Sequence, residues 1–332
     1  MILRDFYIRD LDADNFRENF FVSAIVSIFA IRIFLKLAGY PQLGGGDFHI
    51  AHMLFGGFFM VSAIIILLSF LGETSKNIAS ILGGIGFGTF IDELGKFITS
   101  DNDYFFQPTV AFIYIIFVLL FLISRFIPRY RQVSQKEYLI NAIEMIKESL
   151  VNDFDPEEEK RAISYLKKCN QKDPVVMLLI QVVARMQTTT ARQVSVYTKF
   201  KIALAVLYYK VARSGFVLNA IIVVLAVQTL RTFFESANLF VTRPVLAFSE
   251  WGQLYSSVLA GSFVLIGLAA LRFSKAEAYR FFRIAILVSI LLTEFFAFMH
   301  SQWYELIGLT VNVFMLLVIN YAMMMERSKA KR

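Results

Sequence analysis

The sequence predicts an all-α integral membrane protein: a polytopic transmembrane bundle of about eight spans, arranged as two parallel four-helix repeats with a cytoplasmic helical insert between them. Three observations predict it. Of 332 residues, 57% are hydrophobic and only 18% charged, with a mean hydropathy of +0.61, where soluble chains run near 45–50% and about 25%. Eight apolar windows have the length of a membrane span. The basic residues gather in the flanks of those windows and in one central block.

A span needs roughly 20 apolar residues, because a rise of about 1.5 Å per residue must cross about 30 Å of hydrocarbon. The windows fall at 19–39, 48–72, 77–99, 107–127, 214–234, 252–272, 280–300 and 304–325. Between the fourth and fifth lies a polar, basic stretch. The expected domains are therefore a first four-span repeat at 1–127, a cytoplasmic helical domain at 128–213 and a second four-span repeat at 214–332.

Orientation follows from Lys and Arg, which favour the cytoplasmic side. Arg125, Arg129 and Arg131 close the fourth window; Arg272, Lys275, Arg280 and Arg283 join the sixth to the seventh; Arg327, Lys329, Lys331 and Arg332 end the chain. With an even number of spans these share one side with Arg4, Arg9 and Arg17. The loops at 100–104 and 300–304 carry no Lys or Arg, and Tyr40, Tyr104, Trp251, Trp303 and Tyr304 supply an outer aromatic belt. The expectation is a multi-pass protein of the cell membrane with both termini cytoplasmic. Its net charge of +7 serves topology, so the lipid bilayer is the expected partner and nucleic acid is not. Cys169 is the single cysteine, which excludes an internal disulfide. Residues 1–18 mix basic and acidic side chains and do not read as a signal peptide.

The two halves match in tandem. Ala24, Ile25 and Ala30 align with Ala220, Ile221 and Ala226; Gly57, Phe59 and Ala63 align with Gly261, Phe263 and Gly267. Glu93, Phe97, Ser100, Thr109 and Val110 align with Glu294, Phe298, Ser301, Thr310 and Val311. The register changes only in loops. Both halves start inside, so the repeats would be parallel about an axis along the membrane normal.

The insert reads as helices. Tyr138, Leu139, Ala142, Ile143, Ile146 and Leu150 recur at helical spacing. Asp155-Pro156-Glu157-Glu158 opens a helix with an acidic cap and Pro in the first turn, and Asn170 to Pro174 ends one helix and opens another. It carries no catalytic constellation, so a protein partner through 128–213 is the expected use.

Ionisable residues inside a span cost several kcal/mol on the lower estimates and are functional candidates by default. The third window carries Asp92, Glu93 and Lys96 after the run Gly83-Gly84-Ile85-Gly86-Phe87-Gly88. On a continuous helix Ser80, Gly84, Gly88, Asp92 and Lys96 form one ridge, with Asp92 and Lys96 spaced as an ion pair. Gly84 and Gly88 would let a neighbouring backbone approach closely. In the second window His49, His52 and Gly56 share a face that can meet this glycine ridge. His300 closes the seventh window on the same outer side, with Glu294 just beneath it.

His49 and His52, with Asp92 and Glu93, are a plausible half-site for a divalent metal such as zinc. Interfacial histidines bonded to backbone or headgroups, and a proton relay, are the competing meanings. Gly84-x-Gly86-x-Gly88 follows no strand and is not a dinucleotide loop. Asp10-x-Asp12-x-Asp14 lacks the turn Gly and the closing Glu of a calcium loop.

His49-Ile50-Ala51-His52 with Gly56, the glycine run into Asp92-Glu93, and Asp103-Tyr104 resemble small bacterial integral membrane proteins known mainly from actinobacteria. The likeness covers roughly residues 47–115. It implies a functional site and names no reaction. The spaced histidines, Lys96, the insert and the second half depart from that pattern. Three functions follow as expectations. Ion or small-solute transport or conduction heads them; a membrane-embedded metal-dependent hydrolase acting from the outer face, and a membrane sensor or assembly scaffold, are the alternatives.

Overall fold

The computed structural model describes residues 8–39, 51–101, 103–104, 106–129, 132–149, 156–186, 196–242, 247–301 and 305–329. Every regular element among them is helical. In order they are α1 (Ala13–Ala38), α2 (His52–Ser69), α3 (Glu73–Ile91), α4 (Leu94–Ile98), α5 (Thr109–Arg129), α6 (Gln135–Ser149) and α7 (Pro156–Leu166). There follow α8 (Pro174–Arg185), α9 (Val196–Ala212), α10 (Gly215–Thr242), α11 (Phe248–Ala270), α12 (Lys275–Val288), a π-helical turn (Ser289–Thr293), α13 (Glu294–Ser301) and α14 (Glu305–Lys329).

Six stretches of the described helices are long and apolar enough to cross a membrane: Ala13–Ala38, His52–Ser69, Gly215–Glu235, Phe248–Ala270, Lys275–Met299 and Glu305–Glu326. Their outer surfaces are apolar. Leu37, Leu68 and Phe216 are each more than 80% exposed, an arrangement that water would penalise and lipid would not. These features fit a multi-pass membrane protein. The third and fourth windows form α3, which is less apolar, and α5.

The chain divides into two compact units. One comprises 1–104 with 121–193, the other 105–120 with 194–332. The divisions therefore differ from those expected at 127 and 213. Helix α9, expected in the insert, belongs to the second unit, and α5 contributes its two ends to different units.

In the first unit α1, α2 and α3 pack tightly because glycines bring the backbones together. A Cβ on Gly56 would lie 2.7 Å from the Gly86 carbonyl oxygen, and one on Gly86 would lie 2.7 Å from that of Gly56. A Cβ on Gly84 would meet the Phe20 carbonyl carbon at 3.0 Å, and one on Gly88 that of Ala24 at 2.9 Å. The expected pairing is thus corrected: the Gly84–Gly88 ridge takes α1, and Gly56 takes Gly86 on a different face. Gly72, at φ 102°, lets α2 turn sharply into α3. The insert helices α6, α7 and α8 enclose their own core of Ala142, Ile146, Ala162, Leu166, Val176 and Val183. Asp173 caps α8 by accepting from the Val175 N–H at 2.9 Å, with Pro174 in the first turn.

An arm before α1 ties this insert to the bundle. Arg9 Nε donates to Glu137 Oε1 at 2.8 Å, and Asn141 exchanges hydrogen bonds with the backbone at Arg9 and Leu11. Arg161 reaches Asp12 at 3.1 Å, and Lys76, at the start of α3, reaches Asp10 at 2.8 Å. The Arg9 guanidinium and the Ser134 N–H and hydroxyl hold the Glu137 carboxyl down at about 2, below the usual carboxylate range.

The second unit closes around Phe282, Ile286, Leu225, Met315, Val318 and Ile319, drawn from α10, α12 and α14. Val110, Ala111 and Tyr114 of α5 pack on Phe298 of α13 in a smaller cluster.

Candidate functional site

The site of the first unit forms where α3 stops. The backbone ladder holds to the Asp92 N–H, which donates to the Gly88 carbonyl at 3.1 Å. It then tightens: Glu93 sits at φ −85°, ψ 9°, and the Lys96 N–H returns to the Glu93 carbonyl, three residues back, at 3.0 Å. On a continuous helix adjacent side chains diverge by about 100°. The interruption lets neighbouring carboxylates face the same histidine, and both are fully withdrawn from solvent at 0% exposure.

Asp92 accepts from Arg32 Nε at 2.5 Å through Oδ1 and from the Tyr104 hydroxyl at 2.5 Å through Oδ2. Glu93 accepts from Lys96 Nζ at 2.6 Å through Oε1. Its Oε2 accepts from the Met53 N–H at 2.9 Å, so it also satisfies one of the open donors at the start of α2. His52 lies between the two acids. Its Nε2 is 3.4 Å from Asp92 Oδ2, its Nδ1 3.6 Å from Glu93 Oε1, and its ring meets Tyr104 edge to face at 6.1 Å.

Tyr104 is carried back over the cluster by its loop. Thr99 accepts from the Asp103 N–H at 2.7 Å and donates to Gly95, which folds the chain onto α4. The Arg32 guanidinium then stands 5.2 Å from the Tyr104 ring centre and the Lys96 ammonium 5.6 Å. Two cations face two carboxylates, and the buried charges cancel.

The structure thus brings His52, Asp92, Glu93 and Lys96 together. The sequence did not single out Arg32, and it placed Tyr104 in the outer belt and in the Asp103-Tyr104 pair of the resemblance rather than among the site residues. Arg32 follows Ala24 and Ile28 at intervals of four, and the packing of that α1 face on Gly84 and Gly88 carries it to Asp92. The expected Asp92–Lys96 pair is corrected, because α3 ends between them. Lys96 takes Glu93, and Asp92 takes Arg32. His49 lies outside the described residues, as does the side chain of His300. Glu294 lies in the second unit, buried and bonded to Asn312.

Of the four residues expected to hold a divalent metal, His52, Asp92 and Glu93 are described and His49 is not. His52 turns a different nitrogen to each acid, so the three do not converge on one point, and each carboxylate already faces a cation that an added ion would have to displace. Zinc needs deprotonated ligands about 2 Å from a common centre. Among the described residues no group of three His, Cys, Asp or Glu side chains is arranged to hold a metal.

Compared with protein-family models, curated proteins and solved structures, the chain matches none.

Proposed function

We propose that this chain is a cell-membrane transporter or conductor of ions or small solutes, and that the Asp92–Glu93 cluster lies on its path. The observation that carries the reading is the interruption of α3 at two adjacent buried carboxylates, with an imidazole 3.4 and 3.6 Å from them. Broken helices holding ionisable groups at membrane depth are how bundles build an ion or substrate site. His52 can pass a proton between the acids after a small shift, since both distances lie just beyond direct hydrogen bonds.

The layout that goes with this function has eight spans, the six long apolar helices together with α3 and α5. They form two parallel four-helix repeats, with both termini and the insert cytoplasmic. The Lys and Arg distribution and the Glu93–Glu294 correspondence support it. Cysteine placed at exposed Asp101 should react with an impermeant thiol reagent in intact cells, and cysteine at exposed Lys172 should not. Labelling at Lys172→Cys would reverse the topology. Cys169 itself is buried and a poor reporter.

The test of function is flux. Purified protein in liposomes should dissipate an imposed pH or ion gradient, and His52→Gln should cut the rate by about 100-fold or more, in the range removed with a positioned proton-transfer group, while leaving the protein monodisperse. Gradients that decay no faster than in empty liposomes would overturn the reading. The arm joining Asp10 and Asp12 to α3 and the insert favours a second reading, a membrane sensor whose insert is its output.

A further inference from the structure

The second unit holds another site, built on Glu294. The π-helical turn Ser289–Thr293 inserts one residue into the run from α12 to α13, and the Glu294 N–H closes it on the Ser289 carbonyl. Such turns re-aim the side chains that follow them and recur at functional sites. Glu294 is 5% exposed and Asn312, on α14, is 1% exposed. Asn312 Nδ2 donates to Glu294 Oε1 at 2.7 Å. The remaining oxygens of the pair, Glu294 Oε2 and Asn312 Oδ1, are both buried acceptors without a hydrogen-bond partner among the described residues.

Among the described residues no cation is paired with Glu294. Among the described residues the titratable groups that bear on Glu294 are Glu305 and Tyr114, and neither is a cation. The Tyr114 hydroxyl is committed to the Ile290 carbonyl in the π turn. Gly308 leaves open the space beside both carboxylates: a Cβ there would lie 3.2 Å from Glu294 Oε1 and 3.6 Å from Glu305 Oε2. Arg231 bears on Glu305 but is paired with Glu235. Two unpaired acceptors this deeply buried cost free energy that one shared positive charge removes.

We propose that Glu294 Oε2 and Asn312 Oδ1 form a binding site for a single positive charge, a proton or an alkali cation. The chemistry is common to both occupants. A proton on Oε2 turns an acceptor into a donor toward the amide oxygen, giving a reciprocal acid–amide pair. An alkali cation is held by the two oxygens directly, as hard cations prefer. The site shares no residue with the Asp92–Glu93 cluster and does not depend on the transport reading.

The test uses the full-length protein in detergent or nanodiscs. Tm is followed from pH 5 to 9 in choline chloride, then with Na+ or K+ replacing choline at constant ionic strength, for wild type, Glu294→Gln and Asn312→Ala. In choline, wild-type Tm should fall by about 2–4 °C or more as the pH is raised, the range expected for roughly 1 kcal/mol. Recovery by Na+ or K+ identifies an alkali cation. No recovery, with a carboxylic-acid stretch in the infrared that Glu294→Gln abolishes, identifies a proton. Glu294→Gln supplies its own amide donor and should be insensitive to both variables. If Glu294→Gln does not fold, Asn312→Ala decides: with its amide oxygen gone the recovery by Na+ or K+ should be lost, and for a bound proton the fall in Tm should move to higher pH, because the carboxylate has lost its only described donor. A wild type insensitive to pH and alkali cation alike, or variants that respond as wild type does, would overturn the proposal.

Discussion

Asp92 and Glu294 are carboxylates withdrawn from solvent in the interior of a helical unit, and the chain holds them in opposite ways. Asp92 meets Arg32 and Tyr104, while Glu93 beside it meets Lys96, so that cluster is electrically complete. Glu294 meets one amide and no cation among the described residues. Burial alone therefore does not fix the chemistry of a carboxylate. Where a carboxylate has its own cation, the structure has fixed the charge. Where it has only an amide, the charge is left to a small ion.

The largest effect should come from Asp92→Asn. It removes the acid and leaves Arg32 charged against a buried neighbour, and breaking a buried pair on one side costs about 3–5 kcal/mol. Arg32 is 17% exposed at its side chain, which places the loss toward the lower end. Adding Arg32→Met to the Asp92→Asn variant should recover most of it, because the pair is then gone from both sides. Denaturant titration of the purified protein reads both. An Asp92→Asn protein as stable as wild type would mean that Asp92 is neutral, and the contrast with Glu294 would collapse.

The next effect is one of packing inside the first unit. Gly56→Ala drives a methyl group into the α3 backbone, 2.6 Å from the Phe90 nitrogen and 2.7 Å from the Gly86 carbonyl oxygen. The contact is backbone to backbone, so the cost should lie near the top of the about 1–3 kcal/mol that overpacking brings. Gly57→Ala faces open space and should change stability by less than about 0.5 kcal/mol. Equal effects at Gly56 and Gly57 would mean that α2 and α3 do not touch through glycine, and His52 would then have no fixed route to Asp92.

Much of this was legible in the sequence. Span-length helices follow from apolar length alone, and Asp92, Glu93 and His52 drew notice because ionisable groups in an apolar window need a reason. The helix end at Ile91 was not legible, since Asp-Glu-Leu-Gly-Lys contains no proline and fits helical spacing. That one break moved Lys96 from Asp92 to Glu93. Arg32 stayed hidden for another reason: a long basic side chain in an apolar run reads as a topology signal, and only the α1–α3 register turns it onto Asp92. Asn312 gave little signal because its meaning lies wholly in the atom opposite it.

Glu137 supplies the same carboxylate–guanidinium pairing as Asp92, but outside the span-length helices, and sharpens the comparison through pH. Its carboxyl lies near 2 in the folded protein against an ordinary 4.5. A depressed folded value adds stability above the unfolded value and loses it as protons bind. The contribution, about 2 kcal/mol for a charge-assisted hydrogen bond, should be full above pH 4.5 and fade as the pH falls toward 2. Arg9→Ala should flatten this part of the acid unfolding profile. An unchanged profile would mean that the arm does not hold the insert.

The smallest effect should be that of Glu294→Gln, and its smallness is the point. The substitution makes the same change as Asp92→Asn, a carboxylate into an amide of nearly equal size. At Asp92 that change strands an arginine. At Glu294 no cation among the described residues is left behind, and the new amide can donate toward Asn312 Oδ1 while still accepting from Asn312 Nδ2. Replacing an unsatisfied group by one that completes its own pair is close to neutral or mildly stabilising, so Glu294→Gln should shift stability by less than about 0.5 kcal/mol at low pH or with its cation present. At high pH in choline the variant should exceed wild type, because only the wild type must then bury an uncompensated charge. A loss of several kcal/mol, as large as that of Asp92→Asn, would show that Glu294 is paired with a fixed cation after all, and that the two carboxylates are held in the same way.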